Sequence, residues 1–297
     1  MYTNENEWGC NICLEDKLEH ELETIYAPVK PTAKPLLKYS KKGQIVMKKF
    51  ELIPEDTLNW FAKTLFRIKA CMDFTTTSGD KIHAGDIGGY VEKESNLSHD
   101  GKAWVSGNAK VWGNAKIYGN AEICGDAWVY GNTWVYGNAE VYDDAKVWGK
   151  AEIYGNAEIC GNAWIYGNAE VYDDAEVYGN AWVYENAKVC GDAKIYNNAK
   201  VYDNAKVWGK AEVYGNAEVH DDAEVYGNAK IYENAKVCGD AKIYGNAKIY
   251  DNAEVYGDTE VLGNAWVYGN AEICDNAKIY GNAEVYGNTW VCDDAEV

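Results

Sequence analysis

From Gly101 to Val297 the chain repeats one six-residue phrase, Gly-Asn-Ala-Xaa-Val/Ile-Tyr, in 33 successive copies, the last one residue short, with no insertion or deletion. A strict short period makes each copy one structural unit, which must bury its apolar side against its neighbours. Gly119-Asn-Ala-Glu-Ile-Cys124 is a representative copy. Place three is Ala except for Thr133, Thr259 and Thr289, and place five is Val or Ile throughout. Place four is Glu, Lys or Trp, and place six is mostly Tyr. Small and branched residues thus alternate with variable and aromatic ones, the period of two of a short strand. Gly-Asn supplies the corner, since both residues tolerate the left-handed backbone region. A helix is excluded by the period and by the Gly and β-branched content.

Equal short strands joined by two-residue corners wind into a parallel β-helix, an all-β fold. The phrase resembles the hexapeptide-repeat family of left-handed β-helices, whose pattern places a small residue four positions after an aliphatic one. Val141 to Ala145 and Ile153 to Ala157 fit that pattern. The resemblance covers about two thirds of the chain. It implies three hexads per coil, so that residue i stacks on i+18 at the strand spacing of about 4.8 Å. The run then makes about 11 coils over roughly 50 Å. The stretch from Leu65 through Asn96-Leu97-Ser98 into the repeats is similar to bacterial and phage hexapeptide proteins of the YdcK type, some of which are called acyltransferases. That name implies an activity by fold alone, and fold does not imply function.

The remaining sequence divides in two. Residues 1–46 read as a tail: a short acidic helix over Ile12 to Ile25, then a linker stiffened by Pro28, Pro31 and Pro35. Cys10 and Cys13 form a Cys-x-x-Cys with His20 as the one nearby extra ligand, but no second pair follows, so no metal site is expected. Met47-Lys-Lys-Phe50 reads as an alternative translation start. Residues 47–100 read as a small α+β cap over the first coil of the 101–297 β-helix. Strands are expected over Lys49 to Ile53 and Leu65 to Ala70, with a helical turn over Thr57 to Lys63. Asp86 to Tyr90 is expected as a tight turn, and Ser95 to Asp100 as a worn hexad in phase with the rest.

The formal net charge of −19 is concentrated in the repeats, whose 31 acidic and 15 basic residues give −16. Nucleic acid is excluded as a direct ligand, because phosphate contacts need Lys and Arg, and no Arg follows Arg67. No hydrophobic run is long enough to span a membrane, and Met1 to Cys10 is polar, so neither a membrane partner nor a secretory signal is expected. Nine Cys fit a reducing cytoplasm better than a disulfide scaffold.

No nucleophile and base, phosphate loop or cofactor motif stands out, so catalytic residues and cofactors are expected to be absent. His220 occupies a Tyr place and reads as drift, while His83 and His99 read as structural residues of the cap. The expected function is a non-catalytic structural or interaction rod presenting Tyr/Trp and charged ladders to a protein or glycan. The alternative is an acyltransferase with its site in the cap or at a subunit interface. Internal copying supports the rod: Glu185–Tyr196 recurs as Glu233–Tyr244, 48 residues on. That offset is not a multiple of 18, so the block lands on another face, as if faces were interchangeable.

Three surface features follow from the expected stacking. Tyr178, Tyr196, Tyr214, Tyr232, Tyr250, Tyr268 and Tyr286 form one flat aromatic column, which reads either as a ladder that stabilises the stack or as a partner surface larger than monomers usually expose. Glu122, Glu140, Glu158 and Glu176, with Asp222, Asp240 and Asp258 at a corner, form acidic strips, which read either as a solvated edge or as a site for a cation or a basic partner. Cys274 and Cys292 stack closely enough to bridge on oxidation. Self-association is expected through the aromatic face or through an exposed C-terminal edge, where Asp293-Asp-Ala-Glu-Val297 resembles an ordinary repeat.

Overall fold

The computed structural model describes residues 37–39 and 45–297. The expected helix over Ile12 to Ile25, the Cys10–Cys13 pair and the Pro28–Pro35 linker lie outside the described residues. Strands β1 (Leu37–Tyr39) and β2 (Ile45–Met47) pair antiparallel, so strand structure begins ahead of residue 47, where only a tail was expected.

The repeats form a parallel β-solenoid of about 11 turns. Each repeat strand holds two residues, places four and five, and pairs in parallel with the strand 18 residues on, as Glu122↔Glu140 and Ile123↔Val141 do. Three sheets result, of 10, 11 and 14 strands, the last extended by strands from residues 50–91. Ala at place three and Val or Ile at place five fill the interior and are buried almost without exception. Thr133 and Thr259 replace buried Ala because each hydroxyl finds a partner three residues back, donating to Tyr130 O at 2.6 Å and Tyr256 O at 2.7 Å.

Place one turns each corner in the left-handed region. At Gly125 a Cβ would come within 2.8 Å of the Asp143 backbone nitrogen on the next turn, which is why Gly dominates the column. Asp143 nevertheless adopts φ 58°, and it gains a bond: its Oδ2 accepts the Gly161 N–H at 3.2 Å. Asp221 and Asp251 do the same for Gly239 and Gly269, at 3.1 and 3.0 Å. Acidic place-one residues therefore occupy acceptor positions for corner amides that a Gly column leaves without a side-chain partner.

The N-terminal module is built from strands, not from the expected mixture of helix and strand. β3 (Phe50–Trp60) and β4 (Lys63–Ala70) form one long hairpin, so the helical turn expected over Thr57 to Lys63 is instead strand and turn. Long-range pairing decides the conformation there, with Thr57 opposite Phe66 and Leu58 opposite Leu65. The register shifts between Ile53 and Thr57, where Pro54 has no N–H to give a ladder. Phe61 and Ala62 make the turn at φ 45° and 58°. β5 (Phe74–Thr75) and β6 (Lys81–Ile82) form a small separate pair. Among the described residues, helical structure is confined to one 3₁₀ turn at Glu94–Asn96.

β7 (Ile87–Val91) joins the module to the solenoid, antiparallel to β4 on one side and parallel to β9 (Lys110–Val111) on the other. The expected turn at Asp86 to Tyr90 is thus mostly strand. Its glycines serve close packing: a Cβ on Gly88 would lie 2.5 Å from Val105 O, and one on Gly89 2.7 Å from Val105 Cγ1. The worn hexad is out of phase by two residues, since Leu97 bridges Ile117 and Tyr90 pairs with Lys110 at a spacing of 20, not 18. The extra residues lie before β8 (Trp104–Val105), where regular spacing starts.

Two cations pin this junction. Lys49 is buried, and its Nζ donates to Ala103 O at 2.7 Å and Gly101 O at 3.3 Å, satisfying carbonyls of the first coil. Burial lowers its pKa to about 8, against the raising effect of Asp100. Arg67 donates to Gly88 O and Gly107 O at 3.0 and 2.7 Å and stacks on Tyr90 at 4.3 Å.

Candidate interaction surface

The outward places align into columns one residue wide. In the column Tyr178, Tyr196, Tyr214, Tyr232, Tyr250, Tyr268 and Tyr286, neighbouring ring centroids lie 4.7–5.4 Å apart and their planes differ by at most 16°. Stacked rings cover one another's faces. Six of the seven are consequently half-buried, and only Tyr286, at the end of the column, is exposed at 58%. The flat exposed strip expected from sequence is corrected: the column offers ring edges and hydroxyls, and its faces are spent on itself. Burial pushes the Tyr232 phenol up to about 12, with Tyr214 and Tyr250 adding to the effect.

A broader aromatic array, with Trp112 buried and the other rings of its two columns half-buried, lies on the 14-stranded sheet. There the place-six column runs Trp112, Tyr130, Trp148, Tyr166, Tyr184, Tyr202, with successive centroids 4.3–5.8 Å apart. Beside it stand the place-four residues Trp128, Trp164 and Trp182. Trp148 meets Trp164 edge-on at 5.5 Å, and Trp164 stacks on Trp182 at 4.9 Å. Lys146 reaches both Trp128 and Trp164, at 4.7 and 5.1 Å from the ring centroids. The β3–β4 hairpin adds Trp60, 5.0 Å from Trp128, and Phe61, which is 71% exposed at the hairpin tip. Sequence reasoning treated the two outward places separately and missed this array. The i+18 rule would have aligned the Trp residues, but nothing local brings the hairpin tip to them.

The acidic columns are less free than expected. Glu122, Glu140, Glu158 and Glu176 do face one another in register. Yet Glu122 accepts the Ser78 N–H and hydroxyl at 2.7 and 2.8 Å, Glu158 accepts the Tyr142 hydroxyl at 3.3 Å, and Glu176 pairs with Lys194 at 2.7 Å. Glu140 sits between two of them, and its carboxyl is raised by desolvation and then by Glu122 and Glu158. Beyond this run the column alternates through Lys194, Glu212 and Lys230, with Lys230–Glu212 at 2.8 Å, before Lys248 follows Lys230, while a column of another sheet pairs Lys206 with Glu224 at 3.0 Å.

Place two carries a second kind of ladder. Asn at this place donates its Nδ2–H to the Oδ1 of the residue one turn on. Asn162 to Asn180, Asn180 to Asn198 and Asn198 to Asn216 do so at 3.2, 3.1 and 3.0 Å. Such amide ladders reinforce stacked strands. Asp can accept in the ladder but not donate. Asn204 therefore donates to Asp222 at 3.0 Å, and the Asp222–Asp240–Asp258 corner is an interruption of the amide ladder. The Asp240 carboxyl is raised, first by the Asp258 side chain one turn on, then by desolvation and by the neighbouring charge of Asp222. Sequence reasoning assigned these Asn to the corner alone.

An open cleft lies between residues 94–100 and the first repeats, lined by Glu94, His99, Lys116, Tyr118 and Trp134, among others. His99 is engaged at both ring nitrogens: Nδ1 accepts the Lys49 N–H at 3.3 Å, and Nε2 lies 2.8 Å from Glu94 Oε1. Neither nitrogen is free to act as a base toward the cleft. His83 is exposed, 3.8 Å from Asp73. His220 stacks on Tyr202 with centroids 4.7 Å apart. Cys274 and Cys292 form a disulfide, with Cα atoms 4.6 Å apart. Among the described residues no helix is long and apolar enough to cross a membrane.

The solenoid thus presents aromatic clusters and charged ladders along its length, consistent with a structural or interaction surface. None of the curated proteins matches the chain. Residues 277–293 match the model of the YdcK beta-solenoid repeat, so over that stretch the chain is a β-solenoid related to this repeat family.

Proposed function

We propose that this chain is a non-catalytic interaction module whose outward columns engage a protein or glycan partner. The observation that carries the reading is the two-column aromatic array from Phe61 to Tyr202, with Lys146 set among its Trp rings. Interfaces draw their affinity from such aromatic anchors. The Tyr178–Tyr286 column serves as a secondary contact through its hydroxyl edge. The acidic strips, Glu122 to Glu176 and Asp222 to Asp258, favour a basic partner group over an anionic one. The hexad pattern supports a left-handed winding, and the Lys49 and β7 contacts support reading 47–100 as a cap on the 101–297 solenoid. Cys71, Cys124, Cys160 and Cys238, which are outside disulfides, support a reducing compartment such as the cytoplasm, where the Cys274–Cys292 bridge would form on oxidation. The alternative of acyl transfer has the cap cleft in its favour and the engaged His99 against it.

The test is a panel of soluble polysaccharides and basic peptides read by intrinsic Trp fluorescence. A binder is expected to shift the emission, and Trp164→Lys/Trp182→Lys is expected to abolish both shift and binding. Undiminished binding by the double variant would remove the array from the proposal.

A further inference from the structure

His220 and Cys238 stand on successive turns of one outward column, the continuation of the Trp112–Tyr202 column. His220 is the only His in the repeats. Its neighbour Asp221 turns the corner at φ 58°, which brings the carboxylate back beside the imidazole: Nδ1 to Asp221 Oδ2 is 3.2 Å. Ligand atoms of His220, Asp221 and Cys238 all lie within 4.8 Å of one another. Asp203, one turn below Asp221, places a fourth donor 4.0 Å from the same Nδ1.

We propose that His220, Asp221 and Cys238 form a binding site for a borderline divalent transition-metal ion of the zinc type, with Asp203 within reach as a fourth ligand. The donor set decides the ion class. A thiolate and an imidazole with carboxylate match Zn²⁺ or Co²⁺, and they do not match Mg²⁺ or Ca²⁺, which take oxygen ligands. The donors are also held from behind. Stacking on Tyr202, at 10° between planes, fixes the imidazole orientation. Asp221 Oδ2 accepts the Gly239 N–H at 3.1 Å, and Asp203 Oδ2 accepts the Asp221 N–H at 3.3 Å. Backbone support of this kind orients ligands in metal sites. The same backbone contacts occur at other corners, but among the described residues only here does the column beside the corner supply a nitrogen and a sulfur one turn apart. On coordination the Cys238 thiol releases its proton to solvent and no redox change occurs.

Co²⁺ titration tests the proposal, on the full chain carrying Cys10→Ser and Cys13→Ser and with the Cys274–Cys292 bridge intact, so that no other thiol pair competes. The expected result is a thiolate-to-cobalt charge-transfer band that saturates at one ion per chain. Cys238→Tyr should abolish the band. His220→Tyr and Asp221→Asn should each weaken binding by more than about tenfold. Tyr is the commonest residue at this place, so both Tyr variants keep the fold, which circular dichroism verifies. In the same background Zn²⁺ should raise the melting temperature of the chain and leave that of Cys238→Tyr unchanged. Absence of the band, its persistence in Cys238→Tyr, or unchanged affinity in His220→Tyr would each overturn the proposal.

Discussion

Asn180 offers the cleanest test of the amide ladder, because its column neighbours are uncharged. It accepts from Asn162 at 3.2 Å and donates to Asn198 at 3.1 Å. Asn180→Ala removes both bonds. Asn180→Asp keeps the acceptor and removes only the donor, so the two substitutions separate one bond from two. A net hydrogen bond contributes about 0.5–1.5 kcal/mol, and an exposed corner lies at the low end of that range. The expected losses are therefore about 1 kcal/mol for Ala and about 0.5 kcal/mol for Asp. Equilibrium urea unfolding, followed by circular dichroism, measures them as shifts in midpoint at unchanged slope. Enough salt should be present to screen the added charge. A solenoid can unfold in parts, so coincidence of circular dichroism and Trp fluorescence transitions has to be checked first. Equal losses for the two variants, or no loss for Ala, would refute the reasoning that directional amide stacking stabilises the corners.

Two further outcomes follow from the same columns. The folded-state carboxyls of Glu140 and Glu152 are raised, by burial first and by neighbouring Glu second. A raised carboxyl binds its proton more tightly in the folded state, so stability increases as pH falls through the folded pKa. Glu92 and Glu94 are lowered, and their contribution is lost only as pH falls through and below the ordinary glutamate range. The melting temperature should accordingly be higher near about pH 5 than near about pH 7.5, and a decrease over that window would contradict the sign. Reduction of the Cys274–Cys292 bridge, which closes a loop of 18 residues, should remove about 3 kcal/mol of constraint and accelerate amide exchange in the last turn. Acceleration spread evenly along the solenoid would show that the bridge does not act locally.

The repeat made the solenoid legible because each hexad meets only its neighbours, so a local period dictates the register of the whole run. What sequence reasoning missed is non-local. Thr57 to Trp60 become strand because Phe66 and Leu65 lie opposite them, and Gly88 and Gly89 are required by Val105 rather than by a turn. The two-residue offset before Trp104 has no signature in the repeat itself. Other features were present at i+18 but read one residue at a time. The Gly-Asn phrase reads as a turn preference and not as an amide ladder, and His220 reads as an isolated replacement of Tyr, without its partner Cys238 one turn on. The Tyr178–Tyr286 column was found, but its exposure was overestimated because rings stacked 4.7–5.4 Å apart shield each other.

The proposed function places the activity of the chain on its outward columns and not in a catalytic pocket. Calorimetric titration of the full chain with acyl-CoA is the test, since the cleft beside His99 and Trp134 is a place an acyl donor could occupy, and the titration would register binding at a subunit interface as well. Heats of dilution only are expected, with no product formed from added amine or hydroxyl acceptors. Saturable binding with measurable acyl transfer, lost on His99→Ala, would contradict it and place the function in the cleft.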